Sequence, residues 1–394
     1  MRVTDWDAII VGAGPAGSAL ACRLGAQRRV LVLERAALST AAAVAPRIGE
    51  SLPGAARVLL QRFGLFERFL AAGHAERGAT ISHWDDGDPV WFDHLRDPNG
   101  PGWHLDRHRF DTDLREAAMA AGATFVDGCG PLRATHAEGI WQIEQQAFAQ
   151  THRARVLVDA TGRNAAIARQ LGIPRQVSDE LICLHAYLPS HVDDEDDCTR
   201  LCADSNGWWY SVRVPSGQRV LAFHLDADDA ELHVLRSWPN LLAKARRQAV
   251  LAEVLPVMAD ADVIVHARPA GSAMLDPVAL ARTAPGFFAI GDAGLSFDPI
   301  ASQGLFHALA SVESVAGYIE AGSDTADHLA AREAFLAEQA SVHAHYRQRW
   351  WDTYAGPARH GAQSFWSRRS AALREGRAAP AAGPAAQADS PAPA

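Results

Sequence analysis

A glycine-rich run at residues 12–17 has a spacing that suits the binding of phosphate groups. It follows the apolar run 8–11 and precedes the helix-compatible stretch 18–24, the setting in which G-x-G-x-x-G marks a strand, a tight turn and a helix. The first glycine allows the turn, the second lets a pyrophosphate approach the backbone, and the third packs the helix on the strand. Free N–H groups at the start of such a helix attract phosphates. We therefore expect a dinucleotide to contact Gly12, Gly14, Pro15, Ala16 and Gly17.

An acidic residue stands where the ribose of a dinucleotide needs an acceptor. Glu34 closes the next apolar run, 30–33, and lies about 20 residues beyond the glycines, where a carboxylate accepts hydrogen bonds from the ribose hydroxyls. We include its neighbour Arg35 in the expected site. These features alone predict a dinucleotide without saying which one.

A distant segment, residues 291–305, indicates which dinucleotide this is. Its Gly-Asp-Ala and its Asp-Pro-Ile-Ala-Ser-Gln-Gly-Leu run resemble the second FAD signature of the aromatic-hydroxylase-type flavoproteins, namely the group A flavin monooxygenases and their relatives, the flavin-dependent halogenases. The resemblance implies that Asp292 holds a ribityl hydroxyl, since a carboxylate accepts strong hydrogen bonds. It also implies that a helix beginning at Gly304 and Leu305 points its positive end at the flavin and stabilises the reduced anion.

Further motifs of the same family follow in the expected order. Residues 158–163, V-D-A-T-G-R, resemble its D-x-x-G segment, and Arg47 and Arg107 fall where relatives place cofactor-contacting arginines. Two alternatives stay open: Asp159 as a helix-capping carboxylate, and an ion pair between Glu50 and Arg47. Beyond the glycine-rich run, the FAD contacts that the resemblance implies are Glu34, Arg35, Arg47, Arg107, Asp159, Gly291, Asp292, Ser302, Gln303, Gly304 and Leu305.

The bulk composition predicts a soluble, cytoplasmic protein. The chain has 394 residues, 48% of them hydrophobic and 21% charged, and its net charge of −9 argues against nucleic-acid binding. No apolar run reaches the roughly 18 residues of a membrane span, and no signal peptide precedes Trp6. The five cysteines form no CxxC pair, so we expect reduced thiols and no metal site.

The order of patterns predicts an α/β fold with an α+β insert. We expect a Rossmann-like FAD-binding domain interleaved with a mixed β-sheet substrate domain and followed by helices. The expected boundaries are an FAD-binding domain at 1–177 with a strand insertion near 79–105, a substrate domain at 178–275, a return to the FAD-binding domain at 276–322, a helical region at 323–370 and a disordered tail at 371–394.

Three departures from the halogenase pattern disfavour halogenation. The run 207–213, G-W-W-Y-S-V-R, stands where halogenases carry G-W-x-W-x-I-P, and Ala301 and Gln303 replace their Glu and Thr. Their catalytic lysine follows the G-E motif, whereas the single lysine of this chain is Lys244. An arginine nearby in sequence cannot replace that lysine, because a guanidinium does not deprotonate.

Other segments resemble a halogenase-like subgroup, the flavoproteins that mature amine dehydrogenases and oxidases whose quinone cofactors derive from their own Trp or Tyr. The residues that carry this resemblance are 102–107, 207–211, 298–304 and 365–369. It implies a monooxygenase that hydroxylates an aromatic substrate, either a small molecule or a Trp or Tyr of a partner protein, through a C4a-hydroperoxyflavin. No second G-x-G-x-x-G occurs, so NAD(P)H visits the flavin transiently or an external reductase supplies the electrons.

Five residues are candidates for the reaction itself. Pro299 and Ile300 would line the oxygen-reacting face of the flavin, with Gln303 beside it. Tyr210 and His83, on predicted strands, would supply a polar or proton-transferring group. Two further alternatives stay open, an FAD-dependent reductase of the geranylgeranyl-reductase type and a flavoprotein that assists assembly without turnover.

Overall fold

The apolar runs of the N-terminal half form neighbouring strands of one sheet. A computed structural model of the chain describes residues 4–25, 27–38, 47–145, 150–190, 194–258, 262–321 and 325–378. Its strands are β1 (Thr4–Val11), β2 (Val30–Leu33), β3 (Ser51–Leu52), β4 (Ala75–Glu76), β5 (Ala79–His83), β6 (Val90–Asp93), β7 (Trp103–His104), β8 (Thr124–Val126), β9 (Leu132–Ala137), β10 (Ile140–Gln145), β11 (Gln150–Asp159), β12 (Arg175–Val177), β13 (Leu181–Pro189), β14 (Thr199–Asp204), β15 (Gly207–Val214), β16 (Gln218–Asp226), β17 (His266–Pro269), β18 (Ala273–Leu275), β19 (Phe287–Ala289) and β20 (Leu295–Ser296).

Helices follow several of these strands and form most of the C-terminal part. They are α1 (Pro15–Gly25), α2 (Ala56–Arg62), α3 (Phe66–Ala71), α4 (Arg107–Ala120), α5 (Ala166–Gln170), α6 (Trp238–Ala245), α7 (Ala249–Ala252), α8 (Pro277–Arg282), α9 (Gly304–Ala310), α10 (Val312–Glu320), α11 (Thr325–Tyr354) and α12 (Ser364–Ala378).

The first large sheet brings the two distant glycine motifs together. It has the order β8-β2-β1-β11-β10-β9, with β19 also paired to β11, and β1, β2, β8, β11 and β19 run parallel. Parallel strands place their carboxyl ends at one edge, where open α/β sheets bind ligands. A Cβ built on Gly291 would lie 3.0 Å from the Ala16 Cβ, so the loops after β1 and β19 touch there.

The second large sheet separates two apolar clusters. Its order is β17-β13-β16-β15-β14-β5-β6, antiparallel except where β14 pairs with β5. Successive side chains of a strand point to opposite faces. Trp209 accordingly packs in one cluster with Phe223 and the helices α6 and α7, while Trp208 packs in another with Phe297. We call the face that carries Trp208 the site face.

The C-terminal helices cover the site face. Tyr346, Trp350 and Tyr354 of α11 and Phe365 and Trp366 of α12 join the same buried cluster as Trp208. The indole N–H of Trp366 donates to the Asp204 carbonyl at 2.8 Å, which fixes α12 to the end of β14. The helical region thus packs against both the site face and the segment 297–301.

The C-terminal boundary differs from the predicted one. The helix α12 continues to Ala378, so the first part of the segment expected to be a disordered tail is helical, and residues 379–394 lie outside the described part of the chain. None of the described helices is long and apolar enough to cross a membrane. Within the same ranges, no group of three or more His, Cys, Asp or Glu residues has the geometry to hold a metal ion.

The covering role of α12 can be tested with two tryptophans of opposite exposure. Trp366 is 0% exposed, so Trp366→Ala should lower the free energy of unfolding by about 3–5 kcal/mol through lost burial and the cavity left behind. Trp91 is 64% exposed, and Trp91→Ala should change it by less than about 0.5 kcal/mol. Urea titrations followed by circular dichroism give both values. Equal losses for the two variants would contradict the packing of α12 on the sheet.

Candidate active site

The glycine-rich turn has two glycines that the fold itself requires and one that leaves room for a ligand. Gly12 has a φ of 109°, and a Cβ there would lie 2.4 Å from the Ala160 carbonyl oxygen. A Cβ on Gly17 would lie 2.0 Å from the Gly12 carbonyl oxygen. Nothing lies within 4 Å of a Cβ built on Gly14, whose backbone is outside the left-handed region. The space beside Gly14 fits the close approach of a pyrophosphate.

The Glu34 side chain is hydrogen-bonded to the glycine-rich turn. Its Oε2 accepts a hydrogen bond from the Ala13 N–H at 2.8 Å, and its Oε1 accepts one from the Ala36 N–H at 3.1 Å. A carboxylate has about four acceptor positions, so lone pairs are left for ribose hydroxyls. The neighbouring Arg35 is exposed. Both positions fit the expected role, which stays a prediction for each of them.

The second FAD segment meets the first at Gly291. This residue has a φ of 54°, and its N–H donates to the Ser311 hydroxyl at 3.0 Å. The Asp292 carboxylate is one third exposed, with Oδ2 3.5 Å from the Arg163 Nε. It therefore keeps an open side next to the glycine-rich turn, as a ribityl-binding carboxylate requires.

The segment 298–305 leads into the first residues of α9, which are not crowded by other parts of the chain. Asp298 accepts the Ile300 N–H at 3.0 Å and begins a single 3₁₀ turn, Pro299–Ala301. Ser302 follows with a φ of 49°, and α9 begins at Gly304, around whose Cβ position nothing lies within 4 Å. The other expected contacts here, Gln303 and Leu305, are half-buried. This uncrowded helix start fits the flavin edge that the resemblance implies.

The two expected arginines hold a loop. Arg107 donates to the Ile48 carbonyl at 2.8 Å, and both Arg107 and Arg47 form ion pairs with the buried carboxylate of Asp111. The alternative of an ion pair between Arg47 and Glu50 is wrong, because the Arg47 guanidinium bonds Asp111 instead. Contact of either arginine with FAD stays a prediction.

Asp159 caps a helix, as its alternative interpretation stated. The carboxylate is fully buried, and its Oδ2 accepts the N–H groups of Ile167 and Ala168 at 2.9 and 2.8 Å. Its Oδ1 accepts the N–H and the hydroxyl of Thr161. Because both oxygens are engaged by the chain, we do not carry Asp159 forward as a flavin contact.

Residues from both halves of the chain thus come together in an arrangement that fits FAD. The turn at 12–17, Glu34 and Asp292 fit the pyrophosphate, ribose and ribityl parts, and the start of α9 fits the flavin ring. The remaining question is what the protein places beyond the flavin, between the segment 298–301 and the site face of the second sheet.

Glu50 is a functional candidate that enters from the sequence only in the alternative of an ion pair with Arg47, and not among the candidates for the reaction itself. It is 2% exposed, its Oε1 lies 2.7 Å from the Tyr187 hydroxyl, and its Oε2 accepts the Gly49 N–H at 3.0 Å. Burial raises its pKa above the usual glutamate value, opposed by the hydrogen bond from Tyr187. One signal could have found it: Glu50 is the single acidic residue between Glu34 and Glu67.

Tyr210 lies beside Glu50, in a row of polar side chains of which His104 is buried and Tyr210 and Ser51 are half-buried. Burial and the nearby Glu50 charge raise the Tyr210 pKa, so its phenol stays protonated. The Tyr210 hydroxyl is 3.4 Å from the Ser51 hydroxyl, which is 3.4 Å from the His104 Nδ1. Burial and the charge of Arg77 lower the pKa of His104 to about 3, so this imidazole is neutral. Ile300 joins the apolar cluster of the same face.

The structure does not bring His83 to this site. In register, His83 pairs with Cys202, and the next residue on the same face of its strand, Ile81, packs in the cluster on the far side of the sheet. His224 does lie on the site face, stacked on Trp208 with ring centroids 3.7 Å apart. Burial lowers the pKa of His224 to about 3, which leaves it a neutral packing partner.

A pair of alanine variants separates a structural glycine from a ligand-accommodating one. Gly14→Ala should keep the stability of the protein but lose bound flavin, because its Cβ enters only the space reserved for the phosphates. Gly17→Ala should lose flavin and also about 3 kcal/mol of stability, since its Cβ collides with backbone. Flavin absorbance after purification and urea unfolding of the flavin-free proteins measure the two effects. Normal flavin content in Gly14→Ala would place the phosphates elsewhere.

The comparisons with known proteins agree with this geometry. The chain is 27% identical over 379 residues to the putative FAD-dependent oxidoreductase LodB of Marinomonas mediterranea, covering 93% of this chain and 97% of that one. Its fold is similar to CmlS, a flavin-dependent halogenase, with a TM-score of 0.77 and 20% identity, covering 95% of this chain and 70% of that one. It is also similar to QhpG, a peptidyl tryptophan dihydroxylase essential for tryptophylquinone cofactor biogenesis, with a TM-score of 0.72 and 22% identity, covering 93% and 79%.

The predicted FAD-binding α/β fold and the predicted superfamily are both confirmed. The tryptophan halogenase family model matches residues 92–373, which is well over half of the chain. The chain therefore belongs to the tryptophan halogenase family and is an FAD-dependent oxidoreductase of that family.

Proposed function

We propose that this protein is a monooxygenase that uses FAD and O₂ to hydroxylate an aromatic ring, and that the ring belongs to a Trp or Tyr of a partner protein. The observation that carries the proposal is the buried carboxylate of Glu50 on the site face, with two phenols beside it. The likeness to QhpG, a peptidyl tryptophan dihydroxylase, supports the choice of a peptidyl substrate.

The position of the lysine argues for hydroxylation over halogenation. The ammonium of Lys244 lies 2.8 Å from the Glu231 carboxylate and 5.3 Å from the ring centre of Phe223, which packs on the face away from the site. The chain has no other lysine. The amine that captures the halogen in halogenases therefore has no counterpart at this site, in line with Ala301 and Gln303 in place of their Glu and Thr.

The protein's own residues would position the ring, exclude water and move a proton. Bound FAD would supply the oxygen-activating redox chemistry. Trp208 and Phe297 form apolar walls, which keep water from the reacting groups. Glu50 would accept the proton that the ring loses as oxygen is introduced, because burial raises its pKa toward the working range of a general base.

Two electron donors are compatible with this proposal. Either NAD(P)H reduces the flavin during a transient visit, or a separate reductase supplies reduced flavin. The chain contains no second G-x-G-x-x-G for a resident nicotinamide. Anaerobic flavin reduction by NADH or NADPH alone distinguishes the two donors.

The function is tested by following the oxygen atom. The FAD-loaded protein is given a reductant, ¹⁸O₂, chloride and bromide, together with free tryptophan, free tyrosine or peptides that contain them. We expect ¹⁸O in an aromatic ring, detected by mass spectrometry, with peptides preferred over free amino acids. Halogen in the ring would overturn the proposal in favour of a halogenase, and reduction of a polyprenyl substrate without ¹⁸O transfer would favour the reductase alternative.

Replacing the proposed proton acceptor should slow the reaction without removing the cofactor. Glu50→Gln keeps the shape of the side chain but cannot take a proton at neutral pH, so kcat should fall by about 10²–10⁴. Flavin content and the rate of flavin reduction serve as controls and should not change. A variant with the wild-type kcat would show that Glu50 has only a structural role.

The neighbouring phenol gives a pH signature. Activity requires ionised Glu50, so the rate should fall as the pH drops through the raised Glu50 pKa. The Tyr187 hydrogen bond lowers that pKa, and its removal in Tyr187→Phe should therefore move the acid limb to higher pH. A profile of kcat against pH for both proteins measures the shift. An unmoved or acid-shifted limb would assign the limb to another group.

A further inference from the structure

The outermost strand of the second sheet exposes an unusual apolar edge. Three successive residues of β6, Val90, Trp91 and Phe92, are 55%, 64% and 56% exposed, and Leu95 just beyond the strand is 75% exposed. A strand normally buries one face, and soluble proteins blunt or cover such edges because unpaired N–H and C=O groups recruit other strands. Among the described residues, β6 pairs only with β5, so its outer edge has no strand partner.

The surroundings of this edge are strongly acidic. The pKa values of Asp85 and Asp97 are lowered by backbone N–H donors, which keeps both carboxylates charged. Cations near the hairpin face inward: Arg77 bonds His94, and Arg359 donates to the His83 carbonyl. The exposed carboxylates of the segment 85–97 are Asp85, Asp86, Asp88, Asp93 and Asp97, against one exposed arginine, Arg96. An incoming strand with basic side chains would complement this charge.

A short polar path joins this edge to the candidate site. His94 follows β6 directly, and its Nε2 lies 2.8 Å from the Arg77 Nη2, whose charge in turn acts on Tyr210. In the sheet, β6 is separated from β15, the strand of Tyr210, by β5 and β14. A segment paired to the outer edge of β6 would lie four strand spacings from β15, roughly 19 Å at about 4.8 Å per spacing, a distance that about six extended residues span.

We propose that the outer edge of β6 docks the protein substrate, by pairing with an extended, basic segment of that protein near the aromatic residue to be oxygenated. This proposal rests on the proposed function, because it supplies the recognition that a protein-borne ring requires. Main-chain hydrogen bonds would give affinity, and the exposed apolar side chains with the acidic rim would give specificity.

Charge argues against a second copy of this chain as the occupant. A two-fold antiparallel pairing of β6 would bring the exposed carboxylates that flank this short strand in one copy close to those of the other copy. Like charges brought together in this way destabilise a strand pair. The acidic rim would thus be doubled in a self-paired edge, whereas a basic segment neutralises it.

The docking is tested by amide hydrogen exchange on the FAD-loaded full chain. The probe is a synthetic peptide in which lysine and valine alternate around a central tryptophan, and its control is the same peptide with glutamate for lysine. We expect slower exchange at residues 90–93 with the basic peptide only. Trp91→Lys should weaken its binding about tenfold. The matched variant Val177→Lys, on the edge strand β12 where Val177 is 61% exposed, should bind normally.

Three other results would contradict the docking. The first is no slowing of amide exchange at residues 90–93, and the second is equal slowing by the acidic peptide. The third is slowing without peptide that grows with protein concentration and accompanies a dimer in sedimentation. Incorporation of ¹⁸O is followed in parallel on the probe and on free tryptophan. If the Trp91→Lys variant oxygenates the probe as well as the wild-type protein does, the docking is contradicted and the proposed function stands. If the basic peptide protects β6 but neither substrate gains ¹⁸O, the docking stands and the proposed function is contradicted.

Discussion

The Tyr354 hydroxyl ties together the three parts of the chain that enclose the candidate site. It donates to the Asp298 Oδ2 at 2.7 Å and accepts a hydrogen bond from the Trp208 indole at 2.8 Å. One oxygen atom thus links the segment that leads into the turn Pro299–Ala301, the long C-terminal helix and the central strand of the second sheet. Trp350, one turn earlier on the helix, adds a second donor to the same carboxylate at 3.3 Å.

This link explains why a carboxylate can stand fully buried at such a point. Burial and the nearby Asp179 raise the pKa of Asp298 to about 6, and donors from the Ile300 N–H and Tyr354 work in the opposite direction. Removing one partner of a buried charge lowers the free energy of unfolding by about 3–5 kcal/mol, which is similar to the effect of a cavity in the core. The position of Pro299 and Ile300, which follow Asp298 directly, therefore depends on α11 as much as on their own 3₁₀ turn.

The nucleotide half of the site could be predicted from the sequence because its requirements are local. The turn at 12–17 needs glycine at Gly12 and Gly17 to avoid backbone collisions within a few residues, and such constraints leave a readable spacing. The substrate half could not be predicted in this way. Tyr187 meets Glu50 across 137 positions, and Tyr354 meets Asp298 across 56, so only the folded chain pairs them.

The same limit accounts for the residues that the structure places differently from the expectation. Histidine is the obvious acid or base near neutral pH, and residue type alone therefore favours His83. Strand alternation places it on the far face, and the orientation of a short strand depends on its pairing, which sequence does not specify. Asp159 shows that residue type can also leave two roles open. A carboxylate at the end of a strand can bind a ligand or accept hydrogen bonds from the helix that follows, and here Asp159 caps α5.

Burial also decides which group can move a proton at the site. It lowers the pKa of His104 and His224 to about 3, so neither imidazole takes up a proton in the neutral range. The same burial raises the pKa of three carboxylates on this side of the sheet, Glu50, Asp179 and Asp298. Asp298 already accepts hydrogen bonds from Tyr354, Trp350 and a backbone N–H, and Asp179 accepts the Ser272 N–H. Glu50 faces two phenols that stay protonated, and its two oxygens accept hydrogen bonds from the Tyr187 hydroxyl and the Gly49 N–H, so acceptor positions are left for a proton. An interior that keeps histidine neutral thus leaves proton acceptance to a glutamate.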